Sequence, residues 1–190
     1  MSQGMVYIFT GDGKGKTSAA LGAVLRGLSH GWRVGWVSWY KEASWGISEH
    51  KLHTILSPEA QKRLQFFPMG KGFYLPEESI HIAGKKLAKV HEAIVMDDDS
   101  RAAHKKAAHD ALTKTVELLK TNDVVVMDEI CNAISDGLIK EKEVIQVLKK
   151  RKQTHVILTG RNASLQLIQA TDLVSSITKI KHPFDSGKLA

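Results

Sequence analysis

The stretch Thr10-Gly11-Asp12-Gly13-Lys14-Gly15-Lys16-Thr17-Ser18 has the residue types needed to hold a polyphosphate. Its glycines let successive backbone N–H groups turn toward phosphate oxygens, and a helix opening directly behind them adds the positive end of its dipole. Lys16 is spaced to reach the terminal phosphates, and the Thr17 hydroxyl to sit on a divalent cation. The usual form of this loop has glycine five residues before the Gly-Lys pair. Thr10 holds that place here, and Gly11 comes one residue late. A side chain at that point alters how the backbone wraps the middle phosphate, and Lys14 adds a second cation. The loop is therefore expected to bind a polyphosphate in a pose unlike that of a typical ATPase.

Two further strand ends carry candidate chemistry. Asp128-Glu129 closes the apolar run Val124–Met127, the setting of an acidic residue that holds a magnesium shell; an acidic helix start stabilised by the dipole is the plainer alternative. Thr159-Gly160-Arg161-Asn162 closes a second buried run, which brings Arg161 toward phosphate at the same sheet edge. Among nine histidines, the pairs His50/His53 and His104/His109 match no recognised ligand set and are read as solvated helix faces. Asp97-Asp98-Asp99 reads as a solvated loop, Lys149-Lys150-Arg151-Lys152 as a basic helix end, and Cys131 as a packing residue near the site. The four tryptophans are read mostly as core or loop packing.

The elements that must position these residues follow from periodicity. Met5–Phe9, Arg33–Tyr40, Leu64–Pro68, Asp123–Asp128 and His155–Thr159 read as strands, with a last strand expected around Ile177–Ile180. Helical spacing runs through Thr17–His30 (Leu21, Val24, Leu25 and Leu28 inward) and Arg101–Lys120 (Ala103, Ala107, Leu112, Val116 and Leu119 inward). It recurs in Asp136–Lys150 and Leu165–Ala170. Strands alternating with helices give an α/β fold, a mostly parallel sheet with helices on both faces. Residues 42–100 are the least regular and form a natural place for substrate contacts.

At 190 residues, 43% hydrophobic and 25% charged, the composition fits one globular domain over residues 1–190. One cysteine excludes an internal disulfide framework and multi-cysteine metal sites. No apolar run approaches the roughly 20 residues of a bilayer span, and Met1-Ser2-Gln3-Gly4 shows no secretory signal, so a cytoplasmic protein without membrane contact is expected. The net charge of +7 calls for an anionic partner. No base-stacking or groove-reading motif points to nucleic acid.

Taken together, Thr10–Ser18, Val126-Met127-Asp128-Glu129-Ile130 and Ile157-Leu158-Thr159-Gly160-Arg161 resemble the ATP:corrinoid adenosyltransferase family. Met69-Gly70-Lys71-Gly72-Phe73 and Lys181-His182-Pro183-Phe184-Asp185-Ser186-Gly187 extend the likeness across nearly the whole chain. The resemblance implies a P-loop NTPase (RecA-like) fold, usually a homodimer. It also implies transfer of the 5′-deoxyadenosyl group of ATP to Co(I) of a reduced corrinoid, with triphosphate released and ATP held reversed in the loop. Carried over by position, Thr10, Gly11, Asp12, Gly13, Lys14, Gly15, Lys16, Thr17 and Ser18 bind ATP. Thr17, Asp128 and Glu129 serve Mg²⁺ or Mn²⁺, and Lys16, Arg161 and Glu129 are the expected catalytic residues. Phe73 and Tyr74 are assigned to the corrinoid; family members commonly follow the Gly-Phe pair with Thr-Trp, where this chain has Tyr74 and Leu75. A flavoprotein or flavodoxin reductant is implied as partner.

Two other readings stay open on the residues alone. One is a conventional P-loop ATPase or kinase in which Glu129 positions water or an acceptor hydroxyl. The other is a non-catalytic nucleotide- or corrinoid-binding module.

Overall fold

The computed structural model describes residues 3–72 and 100–181. Six strands form one parallel sheet: β1 (Val6–Thr10), β2 (Val34–Ser38), β3 (Leu64–Pro68), β4 (Val124–Asp128), β5 (His155–Thr159) and β6 (Leu173–Ser176), in the order β3-β2-β4-β5-β1-β6. The helices are α1 (Lys16–Ser29), α2 (Pro58–Gln61), α3 (Arg101–Leu118), α4 (Ile130–Ser135), α5 (Glu141–Lys149) and α6 (Leu165–Gln169), with a 3₁₀ turn at Ser48–Thr54.

Because strand side chains alternate, each central strand feeds two cores. Val6, Ile8, Val125, Met127, Val156 and Leu158 face the layer of α3, α4 and α5, whereas Val124, Val126 and Ile157 face α1. Residues of β2 and β4 are buried without exception, which explains why both read as continuous apolar runs. Each buried Val or Met side chain there contributes about 1.5–3 kcal/mol, far more than any propensity term. Pro68 ends β3, which is an edge strand, where a missing N–H costs little.

Four expectations need correction. The last strand is Leu173–Ser176, earlier than Ile177–Ile180, because its partner β1 ends at Thr10 and the chain turns away at Gly11. The Asp136–Lys150 helix is two elements. Gly137, at φ 66°, stops α4, and Leu138 and Ile139 fill the core between it and α5, whose first turn opens with Lys140 N–H donating to Glu143. In α1 Ala20, Val24, Gly27 and Leu28 are buried and Leu21 packs against the same core, while Leu25 is 42% exposed. In α3 the buried face is His104, Ala108, Ala111, Leu112, Thr115 and Leu118. Of the expected stripe Leu112 and Leu119 are buried and Val116 packs against the core, whereas Ala103 and Ala107 are only half-buried and His104 lies in the core instead of in solvent. Small residues on that face let the helix lie close to β2: Trp39 Nε1 donates to Ala108 O at 3.2 Å. Of the other tryptophans, Trp36 is buried and Trp32 is a partly exposed residue stacked on His155 at 5.2 Å. Among the described residues, no helix is long and apolar enough to cross a membrane.

Candidate functional site

Three neighbouring strands bring the site together at their carboxyl ends, where ligands of parallel α/β sheets bind. Thr10 closes β1, Asp128 closes β4 and Thr159 closes β5, and the register sets Phe9 beside Thr159 and Met127 beside Leu158. Helix α1 is preceded by Gly15 at its N-cap, which has φ 116° and offers no side-chain cap, a helix start of the kind that accepts an anion. A pocket of about 480 Å³ lies there, lined by Lys14, Lys16, Thr17, Glu129, Asn132 and Arg161 together with Gly13, Gly15 and Ser18.

Lys16 is buried and donates from Nζ to Gly11 O (2.9 Å) and Gly13 O (2.7 Å), so two of its three N–H groups hold the loop's shape. Burial pulls its pKa below the ordinary lysine value, with Arg161 acting in the same sense and Glu129 and Asp12 opposing. The displaced glycine has a structural reason. Thr10 belongs to the strand: its O accepts from Ile177 N at 2.8 Å and its Oγ1 from Ala163 N at 3.4 Å. Gly11 then turns at φ 101° directly under residue 177, where a Cβ would sit 2.4 Å from Ile177 O. Gly13 N donates to the same Ile177 O (2.8 Å), and Lys179 N donates to Asp12 Oδ1 (3.1 Å). That bond holds the Asp12 carboxyl below its usual pKa. The segment 177–179 therefore braces the phosphate loop from behind.

The two acids differ. Asp128 is fully buried and surrounded by donors: Thr17 Oγ1 (3.2 Å) and Thr159 Oγ1 (2.8 Å) on Oδ1, and Lys41 Nζ (2.9 Å) and Ser38 Oγ (3.4 Å) on Oδ2. Glu129 caps α4 in the left-handed region at φ 64°, an uncommon conformation for a residue with a side chain, and its N–H donates to Thr159 Oγ1 at 2.9 Å. This turns its carboxyl into the phosphate pocket. Burial raises the Glu129 pKa, the neighbouring Asp128 adds to the rise, and Lys41, Lys16 and Arg161 counter it. Arg161 follows Gly160 at the pocket rim, its N–H held by Asn132 Oδ1 at 2.5 Å. Cys131, directly behind Glu129, is buried and its thiol is pushed up to about 12, which leaves it a packing residue.

The structure thus gathers Lys14, Lys16, Thr17, Ser18, Glu129 and Arg161 around one pocket, with Asp128 behind them. Sequence reading missed Lys41, Ser38 and Asn132. For Lys41 there was a signal: a cation directly after a buried strand, at the sheet edge where the phosphate loop lies. Phe73, Tyr74, Leu75, Asp97-Asp98-Asp99 and the segment from His182 onward lie outside the described residues. A second cavity, between α1 and the sheet near Trp32 and His155, is at the opposite end of the strands.

Residues 2–190 match the sequence profile of the family described as ATP:corrinoid adenosyltransferase BtuR/CobO/CobP. The chain belongs to this family. A corrinoid adenosyltransferase of a Sinorhizobium species is 33% identical over 97% of this chain and 77% of its own length. The corrinoid adenosyltransferase CobA of Salmonella typhimurium is 31% identical, over 97% and 82%. Among solved structures, the flagellar accessory protein FlaH of Methanocaldococcus jannaschii shares the fold alone. It superposes with a TM-score of 0.52 at 14% identity, over 93% of this chain and 72% of that one. This corrinoid adenosyltransferase thus has the α/β architecture expected from the sequence, an all-parallel six-stranded sheet with helices on both faces.

Proposed function

We propose that this corrinoid adenosyltransferase carries out its reaction at the pocket between the phosphate loop, Glu129 and Arg161. The observation that supports the reading is the convergence of two loop lysines, an uncapped helix start and one arginine on a single pocket, in a chain of this family. In the reaction, Co(I) of the corrinoid attacks C5′ of ATP, the cobalt–carbon bond forms, and the C5′–O5′ bond breaks with its electron pair leaving on triphosphate. The cobalt is the nucleophile, so the protein's task is alignment and charge stabilisation. Lys16 uses its third N–H, Lys14 its ammonium and Arg161 its guanidinium on the leaving triphosphate, aided by the amides at the start of α1. The loop is held before reaction by the brace at residues 177–179 and the Arg161 backbone by Asn132, so little reorganisation is needed as charge develops.

The donor set also fits a hard divalent cation. Among the described residues, no cluster of three or more His, Cys, Asp or Glu side chains could hold a metal alone. A hydroxyl and a carboxylate beside a triphosphate suit Mg²⁺ or Mn²⁺, which keeps waters and takes phosphate oxygens. Thr17 and Glu129 would hold the ion, with Asp128 behind orienting Thr17. When bound, the ion would neutralise charge on the triphosphate. We further read the chain as a single domain acting in the cytoplasm as a homodimer, with a flavoprotein or flavodoxin supplying the electron for Co(I). Phe73 and Tyr74 are proposed to contact the corrinoid.

The test is incubation with ATP, Mg²⁺ and chemically reduced cobalamin or cobinamide. Formation of the cobalt–carbon product with stoichiometric triphosphate is expected. ADP release without adenosylated product would select a conventional ATPase or kinase instead, and tight binding of ATP or corrinoid without turnover a non-catalytic module.

A further inference from the structure

Lys41 stands between two parts of the molecule that have to act together. Its side chain, 16% exposed, reaches from the loop after β2 to Asp128 Oδ2 at 2.9 Å and also pairs with Glu49 of the 3₁₀ turn. Among the described residues it is the only cation in contact with Asp128. A fully buried carboxylate requires such a partner, because an uncompensated charge in the interior is strongly unfavourable. Burial by itself would lower the Lys41 pKa, but Asp128 and Glu49 outweigh it and the net shift is upward, so the ammonium stays charged.

The backbone of the same residue faces the other way. Lys41 O accepts from Gly70 N and Tyr40 O from Gly72 N, both at 3.0 Å, and Met69 N donates to Ser38 O at 3.0 Å. The β2–β3 pairing therefore continues past the end of the sheet and carries the loop 69–72 with it. The approach is close enough to require glycine: a Cβ on Gly70 would lie 2.2 Å from Tyr40 C and 2.3 Å from Trp39 O. Trp39 N in turn donates to Asp128 O at 3.1 Å, and the Tyr40 hydroxyl bonds Asp136 at the end of α4. Beside this loop lies an open groove of about 480 Å³ lined by Glu42, Ser44, Met69, Lys71, Ala107 and Asp110. The phosphate pocket lies on the far side of Asp128, reached through Thr17.

We propose that Lys41 is a positioning residue for adenosyl transfer: its ammonium fixes Asp128 and its carbonyl fixes Gly70, which sets the phosphate pocket and the groove at loop 69–72 in register. This rests on the reading that the second substrate enters on the side of that loop. The reaction joins an atom of one substrate to an atom of the other, and a misplacement of about 1 Å costs on the order of 10²-fold in rate. A residue tied to both sides controls that distance without touching either reacting atom.

The experiment compares wild type, Lys41→Met, Lys41→Arg and Lys41→Gln at saturating ATP and pre-reduced cobalamin. ATP affinity is measured separately, and amide exchange is followed at Gly70 and Gly72. Lys41→Met is expected to lower kcat by about 100-fold while the Kd for ATP changes less than about threefold, and to speed exchange at both glycines. Lys41→Arg is expected to recover most of kcat. Lys41→Gln, which keeps a donor toward Asp128 but not the charge, is expected to lose no more kcat than Lys41→Met. It serves as the reporter if Lys41→Met alone fails to fold, where wild-type kcat would overturn the proposal equally. Wild-type kcat in Lys41→Met would overturn the proposal, as would a loss confined to ATP affinity, which would place Lys41 on the phosphates. If wild type itself gives no adenosylated corrinoid, the functional reading fails; ATP affinity and glycine exchange still decide the role of Lys41.

Discussion

Thr159 and Asp128 share a hydrogen bond of 2.8 Å in which the hydroxyl donates to Oδ1, and the same hydroxyl oxygen accepts from Glu129 N–H at 2.9 Å. One side chain of β5 thus fixes both the buried acid and the left-handed turn that aims its neighbour into the pocket. Thr159→Val removes donor and acceptor together and leaves a half-buried N–H unsatisfied. A loss of about 2 kcal/mol in urea unfolding is expected, with Thr159→Ser close to wild type. Adenosylation should fall further than stability explains, since the turn at Glu129 loses its anchor; unchanged kcat in a folded Val variant would count against that role.

Glu129 couples function to a stability cost. Its folded pKa is raised from 4.5, so the native state holds the proton more tightly than the unfolded chain. Its contribution is then fully present below pH 4.5 and is lost as pH rises through the elevated folded value. Glu129→Gln never ionises. It should match wild type in thermal unfolding near pH 4 and exceed it at pH 8, while losing adenosyl transfer. Equal melting temperatures at pH 8 would contradict the sign.

Lys16 is the loop cation most enclosed by the protein. In the proposed reaction Lys16→Met would remove a preorganised donor to the leaving triphosphate, and a loss of about 10²–10³ in kcat is expected. Calorimetric ATP binding should weaken as well, because Gly11 O and Gly13 O lose the group that gathers the loop.

Gly11 does not line the phosphate pocket but lies where the loop meets its brace, so its replacement probes that contact. Gly11→Ala puts a methyl 2.4 Å from Ile177 O at a backbone angle alanine rarely adopts. The expected result is at least tenfold weaker ATP binding in titration, with faster amide exchange at Gly13. Wild-type affinity would mean that the brace does not shape the loop.

Much of this was readable in the residues because the strong signals were local. The phosphate loop, the Val124–Asp128 strand and Thr159-Gly160-Arg161 are continuous segments whose chemistry follows from order and spacing. What could not be read depended on contacts across the sheet. Leu25 and Leu28 look alike in sequence, and only the close packing of Gly27 near Trp32 and Val124 turns the helix so that Leu28 is inside. His104 appears polar, yet α3 uses its small residues to approach β2 and takes the imidazole into the core. Lys41 carries no motif; its meaning comes from Asp128, 87 positions away, and from Gly70 on the adjacent strand's continuation. Glu129 was found by sequence as half of an acidic pair, but the division between a saturated acid and one facing the pocket required the hydroxyls of Thr17 and Thr159 to be placed.

The brace behind the phosphate loop joins residues 167 positions apart, Asp12 and Lys179. During synthesis the loop leaves the ribosome long before the segment that backs it. A growing polypeptide therefore carries the glycine-rich motif before the contacts at Thr10, Asp12 and Gly13 that back it can form.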